Sequence, residues 1–597
     1  MVLTKYEVLK KYFGYDSFRD GQDEVIDNIV SGRDVLCVMP TGAGKSLCYQ
    51  IPAIMLSGVT IVVSPLISLM KDQVQSLSNI GVKAAYVNSS LSENVIEKVY
   101  ARIKGNLYKI IYVAPERLFS NAFINTIREI DISLVVVDEA HCISKWGHDF
   151  RPNYLNIAEF VSKLKSRPVV SAFTATATRQ VRQDIVTLLQ LNDPYVCISS
   201  FDRKNLFLDV RHPDNKNDEL LEVLKNHTNE SGIIYCITRK TVDTVCDLLN
   251  KRGYSATKYH AGLDDEERTK NQEDFIYDKK LIIVATNAFG MGINKSNVSF
   301  VIHYNMPKDI ESYYQEAGRA GRDGNRAECI LLYGEEDIFT NKYMIEHSVD
   351  DKDNKAIEYK LLEKMIGYCI TEKCLRAYIL NYFDEEAKEK CGNCSNCLQT
   401  NYEICDMTEQ AGIIVDCLKG MSKKYGKTML VNILKGSKDK RILSEHLYEL
   451  HDYGKLHSLN RNEIERLIDK LIVLGIIVKR GVEYPVLVIG RGLEDDERIE
   501  IRVPKRSVGS IRKKDSLKPV ESELFSVLKK LRYELSVQEG IPAYLIFSNA
   551  TLKDMCLKMP TTKEEFMVVD GVGEYKSAKY ADRFISEIKK YIDGSNI

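Results

Sequence analysis

Residues 34–46 read DVLCVMPTGAGKS: a β-branched apolar run, a glycine-rich turn, and the start of a helix pattern. Strand, turn and helix in that order make a phosphate loop. The glycines let backbone amides approach phosphate oxygens, and the helix start favours negative charge. In such a loop Lys45 reaches the β- and γ-phosphates and Ser46 holds magnesium, while Thr41, Gly42 and Gly44 shape the turn. The longer form of the loop has a glycine where this chain has Met39, so TGAGKS is a shortened form. A chance lysine beside a Gly-rich turn is the bland alternative, and the strand–helix context argues against it.

The same rhythm spreads outward from this stretch. Apolar runs recur at 59–65, 109–115, 134–140 and 168–177, then, after a break near 200–212, at 232–238, 280–287 and 300–305. Near-continuous apolar runs suit strands buried on both faces of a parallel sheet. Alternation with helices predicts two α/β domains whose ligands sit beyond the carboxyl ends of the strands. Several turns after these runs carry chemistry. Asp138 and Glu139 end the run LVVV, where one carboxylate can orient magnesium and the next can activate a water. SAFTATA (171–177) is a hydroxyl-rich strand end that could link nucleotide state to the second domain. YYQEAGRAGRDG (313–324) supplies Gln315, Arg319 and Arg322, two arginines able to face a γ-phosphate across a cleft.

A chain of 597 residues is too long for one core and predicts several domains. No apolar run reaches the roughly 18 residues of a membrane span. The N-terminus MVLTKYEVLKKYFGYD lacks an apolar signal core, so a cytoplasmic protein in a reducing compartment is expected. The fifteen cysteines then read as buried hydrophobes or metal ligands, not disulfides. The net charge is −1, yet residues 411–510 hold 19 Lys+Arg against 14 Asp+Glu, a local +5. A nucleic-acid partner would therefore use local patches.

On TGAGKS, DEAH, TAT and QEAGRAGR over a doubled α/β rhythm, the chain resembles a superfamily 2 helicase. FGYDSFRDGQ (13–22) narrows the resemblance to the RecQ helicases, and SPLISLMKDQ, APERL, YHAGL and ATNAFGMGINK match that family too. The resemblance covers nearly the whole chain and is closest to the bacterial type. It implies two RecA-like domains (1–205 and 206–342), a zinc-binding subdomain (343–406), a winged helix (407–510), a linker (511–519) and an HRDC-like helical domain (520–597). It implies that Tyr15 and Arg19 sandwich the adenine of ATP and that Gln22 reads its edge. Lys45, Asp138, Glu139, Gln315, Arg319 and Arg322 take the catalytic roles argued above. The resemblance also supplies 3′ to 5′ movement on single-stranded DNA and duplex separation, which residue chemistry alone does not give.

Trp146, the one tryptophan of the chain, follows Asp138 by eight positions on a polar stretch. The segment from Cys142 to Pro152 resembles RecQ's aromatic-rich loop. Trp146, His148, Phe150 and Arg151 would touch single-stranded DNA beside the magnesium-binding acids, with stacking worth about 1–3 kcal/mol per base.

Cys374, then after sixteen intervening residues Cys391, and then Cys394 and Cys397 at two-residue gaps can complete a tetrahedral zinc site. A closed four-sulfur site leaves no open position, so zinc would serve rigidity. GKTMLVNILKGSKDKR (426–441) resembles the start of RecQ's winged helix, with Lys427 and Lys438 as candidate phosphate contacts. Tyr484 on the wing is given no strand-splitting role. Tyr544 lies where relatives place an aromatic that touches single-stranded DNA, but its domain is neutral, and partner contacts or damping of the ATPase compete with that role.

The expected activity is an ATP-dependent 3′–5′ DNA helicase with ATP, Mg²⁺ and Zn²⁺. Single-stranded and duplex DNA, single-strand-binding protein and recombination proteins are the expected partners of a monomer. The alternatives are an RNA helicase and a structural DNA-binding protein with an inactive ATPase. The second would need a lesion at Lys45, at Asp138–Glu139 or at the arginines, and all are present.

Overall fold

The apolar runs become the middle of two parallel sheets in the computed structural model, which describes residues 3–594 apart from 214, 290–294, 349–351, 399–401, 481–485, 495–496 and 505–522. The first sheet is built from β1 (Val35–Val38), β2 (Val59–Val63), β3 (Ala84–Val87), β4 (Ile110–Val113), β5 (Ile132–Val137), β6 (Val169–Thr174) and β7 (Tyr195–Ile198). Its order is β3-β4-β2-β5-β6-β1-β7, and every pairing is parallel. Burial on both faces explains why β1 and β4 are hydrophobic at every position and β2 at all but Thr60.

The second sheet holds β8 (Leu206–Arg211), β9 (Gly232–Tyr235), β10 (Ala256–Tyr259), β11 (Ile282–Ala285), β12 (Phe300–His303) and β13 (Ala327–Leu332). Its order is β10-β11-β9-β12-β13-β8, again all parallel. The phosphate loop follows β1, the acidic pair follows β5 and TATA follows β6, all at carboxyl ends of strands of the first sheet. Tight turns after buried strands thus gather residues far apart in sequence.

The chain divides into two compact units, one of Met1–Leu362, Ile379–Ala387 and Leu517–Ile597 and one of Glu363–Tyr378 and Lys388–Ser516. The first keeps a stretch inside the expected zinc-binding subdomain, because Phe383 stacks on Phe201 at 4.3 Å and Glu385 accepts the Phe201 N–H at 2.7 Å. It also contains the C-terminal helical module, whose helices Glu523–Glu539, Asn549–Lys558 and Glu574–Gly594 close over a core including Leu528, Phe547, Phe566 and Phe584.

The second unit packs helices Thr408–Gly420, Lys427–Lys435 and Arg461–Val473 around Ile414, Leu430, Ile464 and Leu467. The last of these helices starts in a capping box between Asn460 and Glu463. β14 (Tyr402–Asp406) pairs antiparallel with β17 (Glu500–Pro504), and β15 (Ile477–Arg480) pairs with β16 (Val486–Ile489) as the expected wing hairpin. Tyr484 and the linker 511–519 lie outside the described residues. Among the described residues no helix is long and apolar enough to cross a membrane.

Candidate nucleotide site, DNA-facing loop and metal centre

β1 runs out at the buried Met39, and the chain turns through Gly42 (φ +85°) and Gly44 (φ +90°) into the helix Lys45–Met55. Both glycines occupy the left-handed region that other residues avoid. At Gly44 a Cβ would also lie 2.5 Å from Gln22 Nε2. Lys45 Nζ is buried with no hydrogen-bond partner. An ammonium in that condition at a helix N-terminus fits a phosphate.

The segment expected at the adenine braces this loop. Arg19 Nη1 donates to Gly42 O at 2.7 Å, and Gln22 Nε2 donates to Ala43 O at 2.9 Å. Gln22 Oε1 accepts the Arg19 N–H at 3.0 Å, so its amide is spent on protein groups at both ends. Tyr15 keeps more than a third of its surface exposed.

The acidic pair is built tightly. Asp138 N–H donates to Val63 O at 2.9 Å, and Tyr154 Oη donates to Asp138 O at 2.9 Å. Glu139 adopts a left-handed φ of +47°, and its N–H donates to Asp138 Oδ1 at 3.0 Å. Strain of this kind in a non-glycine residue persists where the surroundings hold it. Burial first, and Glu139 next, push Asp138 up to about 7. A carboxylate this reluctant to ionise alone suits a divalent cation. His141 lies 3.4 Å from Glu139 Oε2 and 2.9 Å from Thr174 Oγ1. Burial holds its pKa well below the usual histidine value, so the ring is neutral. Thr174 Oγ1 donates to Thr176 O at 3.0 Å, which leaves it to accept the proton on His141 Nδ1.

The second lobe reaches this site through the helix Ile310–Ala317 and the turn after it. Gln315 Nε2 donates to Thr176 Oγ1 at 3.1 Å, and Thr41 Oγ1 donates to Gly318 O at 3.1 Å. A Cβ on Gly42 would touch Arg322 Cγ at 3.4 Å, so Arg322 lies on the phosphate loop. Burial, Arg319 and Arg203 push Arg322 down to about 9. Arg319 Nε is buried without a hydrogen-bond partner. Cations crowded in this way are stabilised by an anion among them. Arg203 also donates to both sides of the cleft, at Thr41 O and at Gly318 O. The sequence reading missed it, because a lone arginine in the break between two rhythms has no motif or spacing to mark it.

The loop after the acidic pair is closed by Arg151 N–H to Cys142 O at 2.8 Å. Gly147 is required there, since a Cβ would lie 2.3 Å from His141 O. Trp146 and Phe150 are half-buried, and Lys360 Nζ stands 5.9 Å from the Trp146 ring centroid. His148 stacks on His141 with centroids 4.2 Å apart, and Lys308 Nζ donates to His148 O at 3.0 Å. Arg151 bonds Asp149 and, through Nη1, Pro65 O at 3.1 Å. A ring-to-ring contact therefore ties this loop to the residue beside Glu139.

In the second unit Cys374, Cys391, Cys394 and Cys397 place their sulfurs within 4.8 Å of one another. Tetrahedral zinc with bonds of about 2.3 Å needs sulfurs somewhat under 4 Å apart, so the set fits that ion. Backbone N–H groups of Ala377 and Asn393 point at Cys374 Sγ and Cys391 Sγ at 3.4 and 3.3 Å, which favours thiolate. Asn396 Nδ2 ties the cluster to Thr371 O and Lys373 O, both at 2.8 Å.

The remaining candidates are placed differently. Lys427 forms an ion pair with Asp469, while Lys438 is exposed. Tyr544 is half-buried; burial pushes its hydroxyl up, and Asp72 and Arg322 are the charges that act on it. Its module is anchored by Tyr277 Oη to Gly540 O at 2.9 Å and by Asn549 Nδ2 to Asp323 Oδ2 at 3.3 Å. Gly573 comes so close to Gly14 that a Cβ on Gly14 would lie 2.5 Å from Gly573 N. Tyr544 therefore meets the rim of the nucleotide cleft in this arrangement.

Sequence families cover this architecture in order: DEAD/DEAH box helicase over 19–185, helicase conserved C-terminal domain over 215–324, RecQ zinc-binding over 335–398, RQC domain over 401–508 and HRDC domain over 521–588. The ATP-dependent DNA helicase RecQ of Bacillus subtilis (strain 168) is 42% identical over 595 residues, 99% of each chain. The proteins of the same name from Pasteurella multocida (strain Pm70) and Haemophilus influenzae are 37% and 36% identical. Those alignments take in 98% of this chain and 94% and 96% of the relatives. Identity at this level from end to end, over five matched families in one order, means that the chain belongs to the RecQ family of ATP-dependent DNA helicases.

Proposed function

We propose that this chain hydrolyses ATP to move 3′ to 5′ along single-stranded DNA and to separate duplexes, in repair, recombination and fork maintenance. The observation that carries the reading is the bridged cleft: Thr41 to Gly318 and Gln315 to Thr176 join the phosphate loop and the strand-end hydroxyls to the arginine segment. Hydrolysis that alters either bridge moves one lobe against the other, which is the motion a translocating grip requires.

Lys45 and the loop amides bind the β- and γ-phosphates. Ser46 and Asp138 would hold magnesium, which when bound offsets phosphate charge. Glu139 orients and deprotonates the attacking water, and its Oε2, buried without a hydrogen-bond partner, is free to accept the water's proton beside neutral His141. Arg319 and Arg322 meet the charge that develops on the γ-phosphate. Tyr15 and Arg19 enclose the adenine. Gln22 acts first as a brace of the loop and must exchange Ala43 O for a base edge to read adenine.

DNA stacks on Trp146 and Phe150, with His148 and Arg151 beside them. The His148–His141 stack carries its presence to Glu139. The four cysteines hold zinc as a rigid clip. Lys438 contacts duplex phosphate, and Lys427 supports that surface through Asp469. Tyr544 reaches DNA only when its module leaves the cleft rim. Single-strand-binding protein and recombination proteins are the proposed partners of a monomer acting on cytoplasmic DNA.

One experiment tests the whole reading: unwinding of forked, 3′-tailed and 5′-tailed duplexes by the intact chain and by Glu139→Gln. The forked and 3′-tailed substrates should open with ATP, the 5′-tailed one should not, and the variant should open none. Equal opening of both tailed substrates would remove the polarity, and full activity of the variant would remove the mechanism.

A further inference from the structure

The two sheets are joined by residues 199–205, SSFDRKN, between the end of β7 and the start of β8. Within this connection the Arg203 guanidinium is spread over four backbone carbonyls. Nη1 donates to Thr41 O at 2.8 Å and Gly318 O at 3.3 Å. Nη2 donates to Ala320 O and Gly321 O, both at 3.1 Å. Two residues on, Asn205 Nδ2 donates to Gly321 O at 2.9 Å and Asn325 O at 2.8 Å. Gly321 turns with φ +58°, and a Cβ there would lie 2.5 Å from Asn205 Nδ2.

These acceptors are specific in place. Thr41 belongs to the phosphate loop, and Gly318, Ala320 and Gly321 are the neighbours of Arg319 and the approach to Arg322. Burial pulls the Arg203 pKa down, so holding this charge on carbonyls is costly. A planar fork with five donors can meet four diverging carbonyls, and an ammonium cannot. Backbone acceptors also mean that Arg203 reads main-chain position and not side-chain identity.

We propose that Arg203 is a positioning residue for ATP hydrolysis, holding the arginine-bearing turn 318–322 in register with the phosphate loop so that Arg319 and Arg322 address the γ-phosphate. The inference rests on the hydrolysis reading above. Arg203 acts through the arginines and touches no reacting atom. A shift of about 1 Å in such a turn is enough to cost on the order of a hundredfold in rate.

The test uses the full chain and measures phosphate release against ATP with saturating single-stranded oligonucleotide, for wild type, Arg203→Ala, Arg203→Lys, Arg322→Ala and the Arg203→Ala/Arg322→Ala double variant. Thermal unfolding is recorded for each. Both Arg203 variants should lose at least tenfold in kcat, with KM for ATP within about threefold, because the loop still binds phosphate. The double variant should be no slower than Arg322→Ala alone, since one residue acts through the other. Unchanged kcat in both single variants overturns the proposal. So does full rescue by lysine, or losses that multiply in the double variant, because those describe a structural strut or a simple charge. Arg203→Lys keeps the result readable if the alanine variant does not fold. An inactive wild type would overturn the hydrolysis reading itself, which is a different outcome from an active wild type indifferent to Arg203.

Discussion

The nucleotide cleft and the start of the winged helix are both rich in cations, and the two regions treat them in opposite ways. In the cleft, Lys45 Nζ and Arg319 Nε are buried without hydrogen-bond partners, and Arg322 is crowded by Arg319 and Arg203. In the winged helix, Lys427 is paired with Asp469, Arg441 bonds Glu445 at 2.9 Å, and Lys435 caps the carbonyls of His457 and Leu459 at 2.7 and 2.6 Å. Buried positive charge that protein groups leave unmet is tolerated where a ligand supplies the anion. Met charge is scaffold. The count of basic residues is therefore a poor guide to binding, and the pairing of each one is a better guide.

The largest test of this contrast sets a crowded cleft arginine beside a winged-helix lysine. Arg322→Ala should lower the kcat of DNA-stimulated phosphate release by about a thousandfold or more, the usual worth of such an arginine. Lys427→Ala should leave that kcat within about twofold, because its charge is already spent on Asp469. Equal losses would break the distinction. Next in size is the metal centre. Cys394 is fully buried among the other three cysteines, so Cys394→Ser should abolish stoichiometric zinc by metal analysis and lower the unfolding temperature. Full zinc content in that variant would show that the fourth sulfur is dispensable.

Trp146→Ala should keep basal ATP hydrolysis but raise the oligonucleotide concentration needed for stimulation about tenfold, as loss of one stacked base would. An unchanged titration curve would detach the aromatic loop from DNA. His227 sharpens the comparison as a cation supplied with partners. Burial lowers its pKa, but Glu230 and Glu328 outweigh that and hold it at about 9. A folded pKa above the unfolded value of about 6.5 means that its stabilisation is complete below that pH and fades as pH rises through 9. Because its glutamates are partly exposed, the effect should be about 1–2 kcal/mol. His227→Gln should flatten the fall in stability between those pH values in denaturant melts. Smallest of all, Lys438→Ala should reduce the salt dependence of duplex binding by about one unit of slope, with Lys427→Ala leaving the slope unchanged.

Most interior strands were legible because burial on both faces leaves an unbroken apolar run, as in IIVA of β11, whereas interior β13, which opens as AEC, was not named. The outer strands were not named. β7 alternates as YVCI with two exposed positions, and β10 as ATKY has only its first half buried. A strand with one neighbour is free to carry polar side chains, so its periodicity fades. The zinc cysteines were legible because three of them share one tight turn. The ion-pair partner of Lys427 was not legible because Asp469 lies 42 residues further on. Tyr544 was read by family position alone, whereas its surroundings come from Asp72, Tyr277 and Arg322, far away in the chain.

What the chain determines by itself is local chemistry: a glycine turn after a buried strand, carboxylates at a strand end, thiols two residues apart. Each needs only backbone geometry over a few residues, so its spacing is enough. What tertiary structure alone decides is which charges are met and which are left for a ligand. Lys45, whose Nζ no protein group meets, and Lys427 on Asp469 are the same residue type in sequence. Only folding brings a partner within hydrogen-bond range of one and not of the other, and electrostatic interaction depends on distance in space, not on separation along the chain.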